Sequence, residues 1–275
     1  MTQLAKFAGD KPVPADASPD APALEPRSAY DLDTVPIKLF IKKLEATGAL
    51  TAQERDGLAK LSGTPVSLRA GEDLIRRGDY PVATTLMVSG FMARYKLLSD
   101  GRRQFVSFHI PGDIPDLQSL FIDVSDHTLG ALVPTQVLTI PHESTRALLT
   151  RQPKLAKLLW RETLIDGSIF REWITNVGRR SAVERVANLL CEMMLRMRAV
   201  GLNEGYSYHL PLNQTHISDA LGLSLVSTNR SLRRLHAANL IDFTKGVLSI
   251  VDWPKLAEIA DFNPDYLHYR TDAGH

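Results

Sequence analysis

The spacing of hydrophobic residues divides the chain into regions of different local structure. Between residues 33 and 61 the apolar side chains recur at helical intervals, and Thr51 precedes Glu54 as in a capping box. Between residues 64 and 141 short runs of Val, Phe, Leu, Ile and Thr alternate with glycines, and beyond residue 141 the helical period returns. This order predicts one or two opening helices, a β-rich unit and a helical unit, which together make an α+β fold.

Glycines divide the β-rich region at intervals of seven to twelve residues, from Gly71 to Gly112. Ser99, Asp100 and Gly101 mark a hairpin turn between two of the predicted strands. Short strands separated by turns at this spacing are typical of a β-sandwich or barrel. The predicted strands include residues 84–89, 91–98, 105–110 and 136–140.

A short helix is predicted over residues 142–150 and a long amphipathic helix over residues 154–177. At 1.5 Å per residue the long helix spans about 36 Å, more than a small barrel needs as a cap. Part of its apolar stripe is therefore predicted to contact a second copy of the chain; the alternative is that the stripe packs only within its own domain. The candidate dimer-interface residues are Leu158, Ile165, Ile169 and Trp173.

The residues Gly178, Arg179 and Arg180 are predicted to end the long helix as a hinge. A second amphipathic helix follows over residues 181–200, with methionines among the apolar residues on one side. Methionine at this spacing is typical of core packing rather than of a cofactor site. We interpret Cys191, in the same helix, as a small buried side chain.

Residues 212–250 have the pattern of a winged helix-turn-helix. A short helix is predicted to start at Asn213 or Gln214 and to end at Gly222, and Ser224 is a suitable N-cap for a second helix over residues 225–238. A strand, a turn at residues 244–246 and another strand follow. Because the second helix contains no acidic residue, this arrangement predicts that it enters the major groove of DNA.

The candidate DNA contacts lie on both helices and on the wing. Arg230 matches the edge of guanine, Asn229 matches adenine or the backbone, and the apolar residues offer only nonpolar contact, for instance with a thymine methyl group. The other polar residues are candidates for phosphate contacts, although a solvated face or an internal salt link is an equal alternative for Arg233 and Arg234. The candidates are Gln214, Thr215, Leu225, Val226, Ser227, Asn229, Arg230, Arg233, Arg234 and Lys245, with His216 as a further phosphate candidate.

The composition of the whole chain gives no sign of a nucleic-acid partner, because 32 Lys and Arg balance 31 Asp and Glu. The charge is unevenly distributed, however, since residues 179–250 hold nine basic and five acidic residues. No apolar run approaches the roughly 20 residues of a membrane helix, and a single cysteine excludes an internal disulfide. These features predict a cytoplasmic protein without a membrane segment. Residues 1–30, rich in Pro and Ala, are predicted to be a disordered tail.

Two segments resemble the CRP/FNR family of transcription regulators. The family's cyclic-nucleotide-binding-type β-roll, a jelly roll, is similar to RRGDYPVATTLMVSGFMARYKLLSDGRRQFVSFHIPGDI, and its winged helix-turn-helix is similar to NQTHISDALGLSLVSTNRSLRRLHAANLI. The resemblance implies a homodimer built on the long helix, a sensory β-roll, and control of transcription at a palindromic DNA site with RNA polymerase as a partner. The implied domains are a β-roll at residues 31–152, a dimerisation helix at 153–178, a DNA-binding domain at 179–255 and an extension at 256–275.

The resemblance also bears on individual residues. Arg230 falls on the family's DNA-reading arginine, whereas Leu225 and Val226 stand where members commonly carry Arg or Glu. Members that bind cyclic AMP carry a Gly-Glu-Leu sequence for the ribose and Arg-Ser for the phosphate. Here the first of these is replaced by Asp116, Leu117 and Gln118, and a shorter loop follows around Asp126. Tight binding of cyclic AMP is therefore not expected. The replacements at Leu225 and Val226 put the family's usual DNA half-site in doubt.

The sequence also limits which other cofactors and protein classes are expected. A single cysteine excludes the iron-sulfur branch of the family, whereas His109, His127 and His142 leave haem open as a cofactor. A different class, a cupin-like metalloenzyme fused to a DNA-binding module, needs several convergent histidines, and His109 and His127 are far apart in the pattern. A third class is a regulated protein whose helix-turn-helix has become a protein-interaction surface. No catalytic triad or phosphate-binding glycine loop is evident, so an enzyme is not expected.

Overall fold

The computed structural model describes residues 35–270 of the 275-residue chain. The tail predicted at residues 1–30 lies outside the described residues. Two helices open the described part, α1 (Val35–Thr47) and α2 (Ala52–Ala59). The capping box before α2 is confirmed, since the Glu54 amide donates to Thr51 Oγ1 at 3.2 Å and the Thr51 amide donates to Glu54 Oε2 at 2.7 Å.

Two antiparallel sheets follow, as the alternation of strands and turns predicts. Their strands are β1 (Thr64–Leu68), β2 (Asp73–Ile75), β3 (Ala83–Ser89), β4 (Met92–Leu97), β5 (Arg103–His109), β6 (Thr128–Ala131) and β7 (Thr135–Pro141). One sheet has the order β1-β7-β3 and the other β2-β6-β4-β5. The predicted hairpin is confirmed, because β4 pairs with β5 and Gly101 in the turn has a φ of 85°, a conformation that favours glycine.

Helix α3 (His142–Arg151) leads into the long helix α4 (Pro153–Arg179), whose 27 residues span about 40 Å. The predicted hinge requires a correction, because α4 continues through Gly178 and Arg179 and the chain turns only at Arg180, which has an extended backbone. The Arg180 guanidinium donates to Glu172 Oε1 at 2.6 Å and to the Asp261 carbonyl at 3.0 Å. The link to α5 (Ala182–Val200) is therefore short, and Arg180 ties it to α4 and to Asp261.

The dimer-interface prediction also requires a correction, because the structure places the chosen residues inside their own chain. Ile165, Ile169 and Trp173 are buried in the core between α4, α5 and β5, and Leu158 is half-buried against α1 and its neighbours. The exposed apolar residues of α4 lie on the opposite face. They are Trp160, Leu164 and Ile174, with 62%, 55% and 69% of their surface exposed.

The C-terminal unit is a winged helix-turn-helix, as predicted. Its elements are β8 (Asn203–Glu204), β9 (Ser207–His209), α6 (Gln214–Leu221), α7 (Leu225–Ala237), β10 (Ile241–Thr244), β11 (Val247–Ile250) and α8 (Trp253–Ile259). The sheet order β10-β11-β9-β8 adds two short strands that the sequence did not predict. Helix α8 crosses the domain boundary predicted at residue 255.

A continuous hydrophobic core joins the C-terminal unit to the rest of the fold. It includes Phe108 of β5, Trp173 of α4, the predicted methionine face of α5 and Leu235 of α7. The segment after α8 returns to the N-terminal half, where the Arg270 amide donates to the Ala46 carbonyl at 2.8 Å. The helix-turn-helix therefore packs against the β-roll and α4 rather than standing apart from them.

Candidate nucleic-acid interface and sensory cavity

Both helices of the helix-turn-helix have well-formed ends. Asn213 caps α6 by accepting the His216 amide at 2.8 Å, and Gly222 ends it with a φ of 60°. Ser224 then caps α7 by accepting the Ser227 amide at 3.2 Å. These polar residues and the left-handed glycine are the signals from which the sequence predicts the boundaries.

A buried hydrogen bond fixes the two helices against each other. Ser218 Oγ on α6 donates to Thr228 Oγ1 on α7 at 2.9 Å, and both residues are buried. Leu235, two turns further along the same face of α7, is also buried. The inward side of α7 is therefore buried by contacts within the domain, and its opposite side is exposed to solvent.

Most of the predicted DNA contacts are exposed on the helix-turn-helix and its wing, whereas Arg234 lines a small pocket with Glu184 of α5 and Glu258 of α8. Ser227 and Asn229 are half-buried, and the other predicted residues are exposed. Asn229 Nδ2 donates to Gln214 Oε1 at 2.9 Å, which joins the start of α6 to the middle of α7. The exposed candidates are Gln214, Thr215, Leu225, Val226, Arg230, Arg233, Arg234 and Lys245.

The basic residues of this surface are not engaged elsewhere in the described part of the chain. Within residues 35–270, no ion pair holds Arg230, Arg233 or Arg234. Lys245 is exposed at the tip of the wing, where its φ of 52° and the φ of 79° at Gly246 form the turn between β10 and β11. These side chains are therefore available to an anionic partner.

His216 is not part of the outward surface, which corrects its assignment as a phosphate candidate. Its ring lies 6.1 Å from the ring of Phe105 on β5. Burial, assisted by the nearby positive charge of Arg103, lowers the pKa of His216 to about 4. The imidazole is therefore neutral at physiological pH, and it packs against the β-roll.

A polar contact between β5 and α6 was not predicted from the sequence. Arg103 Nη2 lies 2.9 Å from Asp219 Oδ2, and Gln104 Nε2 donates to the Ala220 carbonyl at 2.9 Å. Since 116 positions separate Arg103 from Asp219, no local pattern marks them as a pair. This contact holds the first helix of the helix-turn-helix against the β-roll.

A cavity of about 700 Å³ lies between the β-roll and helices α1, α4 and α5. On its wall, Arg94 of β4 pairs with Asp166 of α4 at 2.7 Å, and its guanidinium lies 5.3 Å from the ring centre of Phe170. The histidines His109 and His127, which are far apart in the sequence pattern, both line this cavity. The cavity therefore connects the strands of the β-roll with the long helix.

A buried ion network lies beside the cavity. Asp113 Oδ1 lies 2.7 Å from Lys43 Nζ, and Asp113 Oδ2 lies 2.9 Å from Arg196 Nη2. Arg196 also pairs with Glu192 at 3.1 Å and donates to the Phe108 carbonyl at 2.7 Å. Burial alone would raise the pKa of Asp113, but Lys43 and Arg196 hold it well below its usual range. The network links α1, the turn after β5, and α5.

The carboxylates near the cavity are already bound by protein groups. Asp116 accepts hydrogen bonds from the Thr85 amide and from Thr85 Oγ1, both at 2.7 Å, and burial raises its pKa to about 6. Asp126 accepts from His127 Nδ1 at 2.8 Å and from Lys96 Nζ at 3.0 Å, and these hydrogen bonds lower its pKa to about 2. Both carboxylates therefore have protein partners, and Asp116 is also buried.

The histidines considered for haem make protein contacts. His109 Nε2 is 2.8 Å from Ser107 Oγ, and burial lowers its pKa to about 4. His142 Nε2 is 2.8 Å from Ser119 Oγ. In the described part of the chain, no group of three or more His, Cys, Asp or Glu is placed to hold a metal ion. Nor is any helix between residues 35 and 270 long and apolar enough to cross a membrane.

Comparisons with known proteins match both halves of the chain. The family model described as the cyclic nucleotide-binding domain matches residues 65–152, and the Crp-like helix-turn-helix domain matches residues 184–259. The chain is 25% identical to the transcriptional activator protein FnrA of Stutzerimonas stutzeri over 212 residues, which are 77% of this chain and 86% of that protein. It is 29% identical to the nitrogen fixation regulation protein FixK of Rhizobium meliloti (strain 1021) over 190 residues, 68% of this chain and 83% of that one.

A solved structure shows the same arrangement of domains. FixK2 from Bradyrhizobium japonicum matches with a TM-score of 0.66 at 28% identity, covering 72% of this chain and 98% of that structure. The first matched family segment corresponds to the two-sheet unit, and the second corresponds to α5 through α8. The chain therefore belongs to the CRP/FNR family of transcription regulators, in which a sensory β-roll is joined to a DNA-binding helix-turn-helix.

Proposed function

We propose that the protein works as a homodimer that binds a palindromic DNA site through α7, recruits RNA polymerase, and responds to an effector bound by its β-roll. The observation that carries this proposal is the outward face of α7, where Arg230, Arg233 and Arg234 are exposed, no acidic residue intervenes, and no ion pair within residues 35–270 holds these arginines. An exposed basic helix in a helix-turn-helix is suited to the negatively charged major groove.

The proposed dimer uses the outer face of α4. Trp160, Leu164 and Ile174 lie on this face, and covering each would remove a large apolar surface from water. A two-fold axis beside α4 would pair the stripe with the same stripe of a second copy, which is the commonest form of oligomer. The two copies of α7 would then read half-sites about 34 Å apart, one turn of the DNA helix.

The proposed DNA contacts fall into two groups, contacts to bases and contacts to phosphates. Arg230 is proposed to bind guanine O6 and N7 through its guanidinium, and Asn229, whose Nδ2 donates to Gln214 Oε1, is proposed to contact adenine or the DNA backbone. Thr215, Arg233 and the wing residue Lys245 are exposed and are proposed to bind phosphates. Gln214 and Arg234 complete the proposed phosphate set, and Ser227 is proposed as a further DNA contact.

Selection of bound DNA from a random pool tests this function. We expect a palindrome with half-site centres about 10 base pairs apart, and Arg230→Ala is expected to cost about 1–3 kcal/mol per half-site at one base position. Arg233→Ala, as the matched control, is expected to weaken all sequences alike and to reduce the salt dependence, because a phosphate contact carries no sequence information. Binding titrations at several salt concentrations measure both effects.

Four results would contradict the proposal or one part of it. An enriched sequence without two-fold symmetry argues against the dimeric arrangement, and the absence of any enriched sequence argues against sequence-specific binding. If Arg230→Ala weakens every sequence equally, Arg230 binds the backbone rather than a base. DNA affinity that does not depend on salt would favour a protein-interaction surface instead.

The proposed effector site is the cavity between the β-roll and α4. Arg94 and Asp166 connect the two walls of this cavity, so a ligand that separates or tightens them would move α4 and, through the core, the helix-turn-helix. Such a ligand changes DNA binding only by its different affinity for the two arrangements.

Cyclic AMP is not expected to bind tightly in this cavity. Asp116 is satisfied by Thr85, and Asp126 already occupies the nearby cation Lys96 and His127, so neither is expected to serve the ribose or the phosphate of a nucleotide. Isothermal titration calorimetry of the full chain with cyclic AMP is expected to show no saturable heat in the low-micromolar range. Low-micromolar binding would contradict this prediction and would require these carboxylates to rearrange.

A further inference from the structure

The last described segment of the chain, residues 261–270, continues past the winged helix-turn-helix and packs onto the fold. We call it the C-terminal strap. Its short 3-10 helix (Pro264–Leu267) is capped by Asn263, whose Oδ1 accepts the Asp265 amide at 2.9 Å. Leu267 is buried, with 1% of its surface exposed. The strap therefore has a defined conformation and an anchor in the hydrophobic core.

The strap crosses from the helix-turn-helix to the N-terminal half of the fold. At its start, the ring of Phe262 lies 6.0 Å from the ring of Trp253 on α8, edge to face. In its middle, Tyr266 Oη donates to Glu192 Oε2 of α5 at 3.1 Å. At its end, the backbone hydrogen bond of Arg270 fixes it to α1. The strap is therefore bound to three separate helices along its length.

The strap also forms part of the wall of the cavity between the β-roll and α4. Leu267 and Tyr269 both line this cavity, together with Trp173 of α4. Between them, His268 Nε2 lies 3.3 Å from Ser168 Oγ on α4. A molecule that fills the cavity therefore borders side chains of the strap as well as those of the β-roll and α4.

The cavity wall is connected to α8 over a short distance. The strap joins Ile259, the last residue of α8, to Leu267 through one turn and the 3-10 helix. Because close-packed interiors transmit strain, a displacement of the buried Leu267 is passed on to α8. On the proposed function of the cavity as an effector site, we propose that the strap relays occupancy of the cavity to the helix-turn-helix, with Leu267 and Tyr269 as the residues that contact the effector. This route reaches the helix-turn-helix through α8 and not through α4.

Hydrogen exchange of the strap tests its coupling to DNA binding. The Arg270 amide is protected by the Ala46 carbonyl only while the strap is seated. Because coupling between two sites is reciprocal, addition of the selected operator is expected to change the exchange rate of this amide by about fivefold or more. The Gln152 amide, bonded to the Leu148 carbonyl at 2.9 Å, is the control and is expected to keep its rate. An Arg270 rate that the bound operator leaves unchanged would contradict the relay.

A covalent occupant of the cavity tests the other end of the relay. Thr163→Cys places a thiol on α4 at a half-buried position that lines the cavity, whereas the native Cys191 is fully buried. Reaction with N-ethylmaleimide then fills part of the cavity with an uncharged group. The adduct is expected to change the operator dissociation constant by about fivefold or more relative to the unreacted variant, and by about twofold or less when Leu267→Ala is also present. If Leu267→Ala does not fold, Tyr266→Phe takes its place, because it removes only the hydrogen bond to Glu192 and is expected to reduce the effect of the adduct in the same direction.

Leu98→Ala is the matched control, because it makes the same change at an exposed leucine, and it is expected to preserve the full effect of the adduct. If the effect is equally large in Leu267→Ala, the signal passes through α4 and the strap proposal is wrong, while the cavity stands as the effector site. If the adduct changes operator affinity in none of the variants, the proposed effector site fails together with this inference. If no operator is selected at all, the proposed DNA-binding function fails as well.

Discussion

Replacing Arg196 by methionine is expected to lower the free energy of unfolding by about 3–5 kcal/mol, because removal of one partner from a buried ion pair leaves the other charge without compensation. Arg196 is the cation paired with Glu192, whose side chain is fully buried. It also holds Asp113 and the Phe108 carbonyl. Equilibrium denaturation in urea measures the loss.

The effect of this substitution is also expected to depend on pH. Burial raises the pKa of Glu192 even with Arg196 present, and removal of the guanidinium should raise it further. A raised pKa means that the folded state binds a proton that the unfolded state has released, so stability falls as the pH rises through that range. The loss in Arg196→Met is therefore expected to be smaller at about pH 5 than at about pH 8.

A matched substitution on the same helix separates this effect from a general effect of methionine. Arg198 is half-buried, and its guanidinium lies 4.8 Å from the ring centre of Tyr206. Arg198→Met is expected to cost about 0.5–1 kcal/mol, as for an exposed cation–π contact. Equal losses in the two variants, or a loss in Arg196→Met that grows as the pH falls, would contradict a network role for Arg196.

The sequence predicts those features that depend on near neighbours. The caps at Thr51, Asn213 and Ser224 act within three residues, so the boundaries of α2, α6 and α7 follow from local patterns. The turn at Gly101 is local for the same reason. In contrast, Asp113 and Arg196 are 83 positions apart, and no periodicity connects them. The buried network therefore emerged only from the tertiary structure.

The two faces of α4 show a second limit of sequence patterns. The helix carries apolar residues on both sides, Ile169 and Trp173 on one and Leu164 and Ile174 on the other. Hydrophobic spacing shows that both faces of α4 are apolar enough to be buried, but it does not show which face is buried within the chain itself. The core formed by β5 and α5 takes the first face, as the hydrogen bond from Trp173 Nε1 to Glu192 Oε2 at 2.9 Å illustrates.

Leu164→Glu is expected to convert the proposed dimer into a monomer and to weaken operator binding by about 10²–10⁴-fold, because linking two binding modules supplies that gain in avidity. Leu164 lies between Trp160 and Ile174 on the exposed stripe, so two copies of the new carboxylate would face each other across the two-fold axis. Because the side chain is exposed within one chain, the fold of the monomer is expected to persist. Analytical ultracentrifugation and operator titration measure the two effects.

The matched control is Leu98→Glu, which places the same charge on another exposed leucine, just after β4 and far from α4 in sequence. It is expected to remain dimeric and to bind the operator normally. If Leu164→Glu also stays dimeric, the outer face of α4 is not the interface. If it becomes monomeric without losing operator affinity, one copy of α7 is sufficient for recognition. The corrected interface therefore predicts that dimerisation and operator affinity are lost together, through a residue that makes no contact with DNA.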